Sequence, residues 1–448
     1  MLDGRARTTA VTLAFLAAVA ALALVFRGGV SSNPASRVLG VLALVENHGL
    51  RADAWHDLSI DRALVDGHFY SDKAPLSSFL VAPFFLVWRL FARGPVTQAH
   101  IEAAVAIGDV VVAALPFAAF TALLRSHAAR WASESDAVWM ALLGAFGTSV
   151  FAYAGVYMGH LLAGTLFLFA YHFATSDPDR RAYLCGLLGG LTVLTEYPML
   201  IAVAILGVFF AARGVRPAIR YALGGLPCGA AMLTYNAAIT GSPFDPPYRH
   251  AAAQFMAPWG RAFALDAQML HAARMLVFSE YRGLLVYAPA LVLLAPLALL
   301  RAAPMARRVL LVSLVCAQFV FVASFFLWDG GWAIGPRHLI PVIMVLVYEG
   351  VGAVAQTPGA QLPFVGLASV GVALNLLATA TNPFVEGFDH PFRDLYWPAF
   401  ARGEITPYNL FALLGLHLGR ASVLAWCALF VATGVTFARL PTKRAARA

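Results

Sequence analysis

Long apolar runs separated by short polar stretches dominate this chain, and their lengths predict helices that cross a bilayer. Twelve such runs stand out, near 9–26, 100–124, 137–157, 159–175, 182–196, 198–212, 221–240, 284–300, 309–327, 338–356, 362–380 and 420–438. In hydrocarbon an unpaired backbone group costs several kcal/mol, so only helices or a closed barrel can span. The runs lack the alternation of barrel strands, which leaves a helical bundle of about 12 transmembrane helices. The first run follows Arg5 and Arg7 with no convincing small-residue cleavage site after it, and it reads as a retained helix.

Basic residues then orient the bundle. Arg125/Arg130, Arg180/Arg181, Arg213/Arg216/Arg220, Arg301/Arg307/Arg308 and the tail Arg439/Lys443/Arg444/Arg447 all fall on one side when the runs are threaded in order. The positive-inside rule makes that side cytoplasmic, with both termini there. The opposite side receives three long loops, 27–99, 241–283 and 381–419, and the short connection 329–337. These hold most of the acids, histidines and aromatic residues outside the runs, so the chemistry is expected at the extracytoplasmic face.

Within the first loop, 36–50 has apolar positions at helical spacing and polar ends, as does 76–91 after Pro75; both suit amphipathic helices lying along the membrane surface. Runs 182–196 and 198–212 meet at Thr195-Glu196-Tyr197-Pro198, where Pro198 opens a second helix and holds Glu196 at the outer end. No tandem or inverted repeat is visible and no separate soluble domain is marked off, so 1–448 reads as one transmembrane domain.

Composition agrees. Of 448 residues 60% are hydrophobic and 12% charged, with a mean hydropathy of +0.75. The formal charge of +8 sits at run ends and not on a basic aromatic face, which excludes nucleic acid as a partner. Cys185, Cys228, Cys316 and Cys427 lie inside apolar runs without CxxC spacing and read as small buried hydrophobes.

The most concentrated polar segment is Asp66-Gly67-His68-Phe69-Tyr70-Ser71-Asp72-Lys73-Ala74-Pro75, a turn between the two surface segments. Lys73 there suits a phosphate as a point charge, and Asp72 suits a base; a solvated ion pair at headgroup level is the alternative. Trp328-Asp329-Gly330-Gly331-Trp332 precedes Gly335-Pro336-Arg337-His338. Trp332 fits an interfacial aromatic belt, while Arg337 offers planar donors matched to phosphate oxygens. Arg282 in Glu280-Tyr281-Arg282-Gly283 is a weaker candidate of the same kind. His160, after Tyr157 and Gly159, and Glu196 each stand at an outer helix end, where His160 can equally be structural. Asp109 reads as a hydrogen-bonding residue inside the bundle. His56, Asp57, Asp61 and His68 match no metal-ligand template, so no metal or other cofactor is indicated, and no nucleotide-binding or hydrolase motif is present.

These residues, in order, resemble a known family. Asn33-Pro34-Ala35-Ser36-Arg37, His48-Gly49, the 67–75 stretch, Tyr157-Met158-Gly159-His160, Thr195-Glu196-Tyr197-Pro198, Tyr281-Arg282-Gly283-Leu284-Leu285 and Gly331-Trp332-Ala333-Ile334-Gly335-Pro336-Arg337-His338 are similar to segments of bacterial GT-C glycosyltransferases. That group includes relatives of the protein O-mannosyltransferases and of the lipid A aminoarabinose transferase. The resemblance implies a GT-C-like bundle in the bacterial inner membrane, with the first outer loop over a cavity at the membrane surface. It implies inverting sugar transfer from a polyprenyl-phosphate donor to an extracytoplasmic glycan, lipid or protein. It assigns Lys73 to the donor phosphate and an acidic role to Asp72, with Asn33, Arg37, Tyr70, His160, Arg282, Trp332, Arg337 and His338 as further binding residues. Many relatives carry an acid just after the first helix where this chain has Asn33. The base then falls to Asp72, Glu196 or Asp57. A twelve-helix transporter or flippase, or a lipid-binding protein without catalysis, are the competing readings.

Overall fold

The computed structural model describes residues 4–251, 266–381 and 387–440, and most of these are helical. Each of the twelve apolar runs contains a helix, but helices and crossings differ in number. Among the described residues five helices are long and apolar enough to span a membrane: Gln98–Ala128, Met305–Ser324, Arg337–Ala355, Pro358–Thr381 and Ala421–Arg439. Shorter apolar helices, Thr8–Ala23, Leu76–Arg89, Tyr197–Ala211 and Leu291–Arg301, accompany them.

Two expected helices are interrupted. The 137–157 run breaks after Glu134–Phe146, and one further helical turn, Ser149–Ala152, leads toward Gly159. The 284–300 run divides into Leu284–Tyr287 and Leu291–Arg301, because Pro289 supplies no N–H to continue the ladder.

Ile340–Ala355 is the axis of the bundle. All its residues are buried, against Leu291–Arg301, Gly159–Ser176 and the 98–128 helix, as an all-round apolar sequence requires. Met305–Ser324 and Ala421–Arg439 instead turn Val312, Val320, Leu424 and Val431 outward, which is the face a bilayer solvates. The cysteines divide accordingly: Cys185 and Cys228 are buried, whereas Cys316 and Cys427 are exposed on these outer helices and are not the core residues expected.

The first long loop is more built than its sequence implies. Its opening helix is Ser32–Glu46, buried from Pro34 to Leu39 and packed against the loop and Leu76–Arg89. Then follow a turn at Asp53–Leu58 and an antiparallel hairpin, Arg62–Val65 with His68–Ser71. The hairpin occupies what reads in the sequence as a polar turn. Asp66 and Gly67 take φ of 50° and 80°, both left-handed, the geometry of the two-residue turns that favour Asp-Gly. Ala63 also bridges to Ala251, so the second loop pairs onto the hairpin.

Two polar ties hold the bundle elsewhere. Asp109, fully buried in a wide turn of the 98–128 helix, makes an ion pair at 3.4 Å with Arg27. Farther down the helices that start at Gly159 and Ile340, Arg307 Nε and Tyr171 Oη donate to Glu349 Oε1 at 2.8 and 2.7 Å. The first helix is also tied to the last described segment. Arg27 N donates to Tyr408 O at 2.8 Å, Leu410 N to Val25 O at 2.9 Å, and Trp426 Nε1 to Leu22 O at 3.0 Å.

Candidate active site

Four helix ends and two loops meet at one end of the bundle and enclose a cavity of about 340 Å³. Asn33 and Arg37 come from the first turns of Ser32–Glu46, and Asp72 and Lys73 from the segment leaving the hairpin. His160 opens Gly159–Ser176, Glu196 caps Pro178–Thr195, and Arg337 and His338 lead into Ile340–Ala355. The remaining wall is apolar: Met199, Leu200, Ile201, Phe321, Val322 and Phe325. Eight residues singled out in the sequence therefore share one space, charged on one side and greasy on the other.

The charged side is organised as three cations with different obligations. Lys73 Nζ lies 3.0 Å from Asp72 Oδ2 and 3.1 Å from Asp61 Oδ2, while Ser36 Oγ donates to Asp72 Oδ1 at 2.7 Å. Burial alone would lower the Lys73 pKa, but the two carboxylates reverse that and hold it above the ordinary lysine value. Burial likewise would raise Asp61, yet Lys73 brings it below the usual carboxylate range. The pair is therefore fixed in its ionised form.

Arg37, fully buried, donates through Nη2 to Glu196 Oε1 at 2.8 Å and through Nη1 to the backbone and side-chain oxygens of Asn33. His160 Nδ1 lies 3.6 Å from the same Glu196 oxygen, and its ring meets His338 edge-on at 5.6 Å. Glu196 fits because Gly159 has no side chain: a Cβ there would collide with Glu196 Oε1. Glu196 Oε2 accepts no hydrogen bond from the described residues.

Arg337 differs from both. No carboxylate of the described residues lies within ion-pair distance of it; its Nε is buried without a partner, and Nη1 finds Met158 Sδ at 4.0 Å. A guanidinium so placed has planar donors that an anion can engage. It is held there by Arg282, whose own guanidinium is fully buried and donates to the carbonyls of Asp329 (2.6 Å), Ala333 (2.9 Å) and Gly331, shaping the loop before Arg337.

The other candidates stand apart from the cavity. Arg282 is behind the loop; Trp332 is 59% exposed; Tyr70 packs with Ile239, Ala63 and Val65. Asp57 is exposed and pairs with Arg62 and His56. Three residues not singled out for the site belong to it. Asp61 is the second anchor of Lys73. Tyr248, on the short turn Pro247–His250, lines the cavity with its ring 6.0 Å from Lys73 Nζ. Gln318, 3% exposed, lines it from Met305–Ser324. The Asp-Gly turn is the available signal for Asp61, since hairpin register carries 61–62 toward 72–73; Tyr248 and Gln318 come from distant segments with no local mark. Among the described residues no cluster of three or more His, Cys, Asp or Glu is arranged to hold a metal ion.

Comparison with solved structures places this architecture. ArnT from Cupriavidus metallidurans bound to undecaprenyl phosphate superposes over 96% of this chain and 76% of its own, with a TM-score of 0.52 at 16% identity. The chain shares the fold of that ArnT. The apo form of the same ArnT gives a TM-score of 0.50 at 15% identity, over 96% and 75% of the two chains. No protein-family model and no curated protein matches the sequence. In this fold the cavity lies where helix ends and the first loop meet.

Proposed function

We propose that the protein is a membrane glycosyltransferase that takes a sugar from a polyprenyl-phosphate donor and passes it to an acceptor on the extracytoplasmic side of the bacterial inner membrane, both termini being cytoplasmic. The observation that carries this reading is Arg337, a cation without a carboxylate, sharing one cavity with Lys73 and facing an apolar wall. An amphiphile with a phosphate head fits such a space: its head meets the cations while its prenyl tail stays among Leu200, Ile201 and Phe321. The undecaprenyl phosphate bound by ArnT is a ligand of that description.

The chemistry follows from the same groups. Glu196 is the base, because both oxygens of Asp72 are engaged by Ser36 and Lys73, and Asp57 is outside the cavity. Glu196 Oε2 takes the proton of the acceptor hydroxyl, and the acceptor oxygen attacks the anomeric carbon from the face opposite the phosphate. The bond from that carbon to the phosphate oxygen breaks, its electron pair stays on the prenyl phosphate, and the configuration inverts. Lys73 and Arg337 stabilise the charge that grows on the leaving oxygen. Arg37, held on Asn33, keeps Glu196 in place.

The test is transfer in proteoliposomes from radiolabelled undecaprenyl-phosphate sugars. Glu196→Gln is expected to cut turnover by about 10²–10⁴-fold with donor affinity preserved, and Lys73→Ala to weaken the donor. Full activity in both variants would defeat the assignment.

A further inference from the structure

Resting on that transferase reading, we propose that Gln318 is a sugar-recognition residue whose side-chain oxygen takes a hydrogen bond from a hydroxyl or amino group of the glycosyl unit. The residue stands where an amide is out of place. It is the one amide of Met305–Ser324, six residues before that helix ends, which is roughly 9 Å along the axis. It is 3% exposed. It lines the cavity and also the start of a narrow apolar cleft among Leu314, Val315, Val342 and Val345. A polar side chain in such surroundings is costly unless a partner meets it.

The chain itself meets only half of that amide. Gln318 Nε2 reaches Met199 Sδ at 3.6 Å. A thioether sulfur accepts and has no proton to give, so this contact fixes Nε2 on the Met199 side and leaves Oε1 over. Oε1 is buried and has no hydrogen bond among the described residues. Two further atoms of cavity residues share that condition, Tyr197 Oη and His160 Nε2, but they are less selective. A phenol can turn its proton to a phosphate oxygen, and an imidazole nitrogen that bears a proton can do the same, whereas an amide oxygen only accepts. The phosphodiester of a glycosyl lipid has no proton to offer, and a prenyl chain has no polar hydrogen. Of the donor only the sugar remains, with its O–H or N–H groups. Gln318 therefore reads the glycosyl unit, and the phosphate is left to Lys73 and Arg337.

Donor binding in the absence of acceptor tests this, because an acceptor hydroxyl is the other group able to meet Oε1. The full-length protein in nanodiscs is titrated at pH 8 with undecaprenyl phosphate carrying glucose, mannose, galactose or aminoarabinose, and with methyl undecaprenyl phosphate, which has the same charged diester and no sugar. At least one glycosyl lipid is expected to bind more tightly than the methyl diester. In Gln318→Met, which keeps the length and loses the amide, that donor should weaken about three- to tenfold. The methyl diester should stay within about twofold, and Tm should not fall, since no hydrogen bond to oxygen or nitrogen within the chain is lost. Replacing one hydroxyl or amino group of the best donor by hydrogen should cost the wild type a similar factor and cost Gln318→Met nothing more. Unchanged donor affinity in Gln318→Met, equal weakening of both diesters, or no deoxy donor that matches the variant overturns the proposal and leaves the transferase reading standing. So does a wild type that binds the methyl diester but prefers none of the sugars. If none of the five lipids binds, the transferase reading falls and this inference with it.

Discussion

Arg337 and Lys73 both face the cavity, yet their electrostatic circumstances differ, and so do their expected failures. Arg337 has no carboxylate to release, so Arg337→Ala removes attraction for the donor phosphate and strands little behind it. The loss is expected to be roughly 2 kcal/mol or more, about thirtyfold in donor Kd by titration calorimetry, with Tm almost unchanged. Lys73 is a structural ion-pair partner as well. Its pKa is raised, so its contribution is complete below the ordinary lysine value of 10.5 and lost only as pH climbs through the higher folded value. Asp61 is depressed, so its contribution is complete above the ordinary 3.8 and lost as pH falls through the lower folded value. Between those limits the pair does not titrate, and affinity for a prenyl-phosphate hexose should be flat from about pH 5 to 9. A step in affinity within that range would mean that another group grips the phosphate.

Residue chemistry is partly legible in the sequence. Lys73 next to Asp72, Glu196 before Tyr197-Pro198, and Arg337 after two glycines all stand out because an ionisable group at the end of an apolar run is expensive unless used. Their convergence is not legible there, since it depends on how helices far apart in sequence are threaded. Trp332 and Arg282 carry the same local signature as Arg337, and only packing separates the exposed ring and the loop-shaping guanidinium from the cavity cation.

Among elements, the apolar runs locate the helices well because length and hydropathy are summed over many residues. The ends are less visible: Pro289 splits one run, and a buried return after Phe146 shortens another. The hairpin escapes a sequence reading because its strands are four residues each and carry His, Arg and Ser, with little alternation to detect. Its turn matters, because the left-handed Asp66-Gly67 pair sets the register that brings Asp61 to Lys73. Gly67→Val places a β-branched residue at a φ of +80° and should cost about 1–3 kcal/mol. The measurement is Tm together with donor Kd: both should worsen, whereas Gly214→Val, also at a positive φ but in a connection far from the cavity, should lower Tm without touching donor binding.

At the scale of the whole molecule, the Arg307–Glu349–Tyr171 tie is a polar group of the bundle apart from the cavity. The tie joins Met305–Ser324, Ile340–Ala355 and Gly159–Ser176, two of which deliver cavity residues at their starts. Glu349→Ala leaves the Arg307 guanidinium without its counter-charge and should lower stability by about 3–5 kcal/mol, read as an earlier thermal transition in detergent. Donor Kd of the folded fraction should stay within about twofold. A large change in Kd with an unchanged transition would assign this tie to the reaction and not to the frame.

The stitching of the first helix to the last described segment bears on how the protein is made. Leu22 and Trp426 are 404 positions apart, so at about 5–20 residues per second the opening helix must wait roughly 20 to 80 seconds for its partner to leave the ribosome. During that interval the Leu22 and Val25 carbonyls and the Arg27 N–H lack the partners that close the finished bundle, while the Arg27 side chain already has Asp109 to pair with.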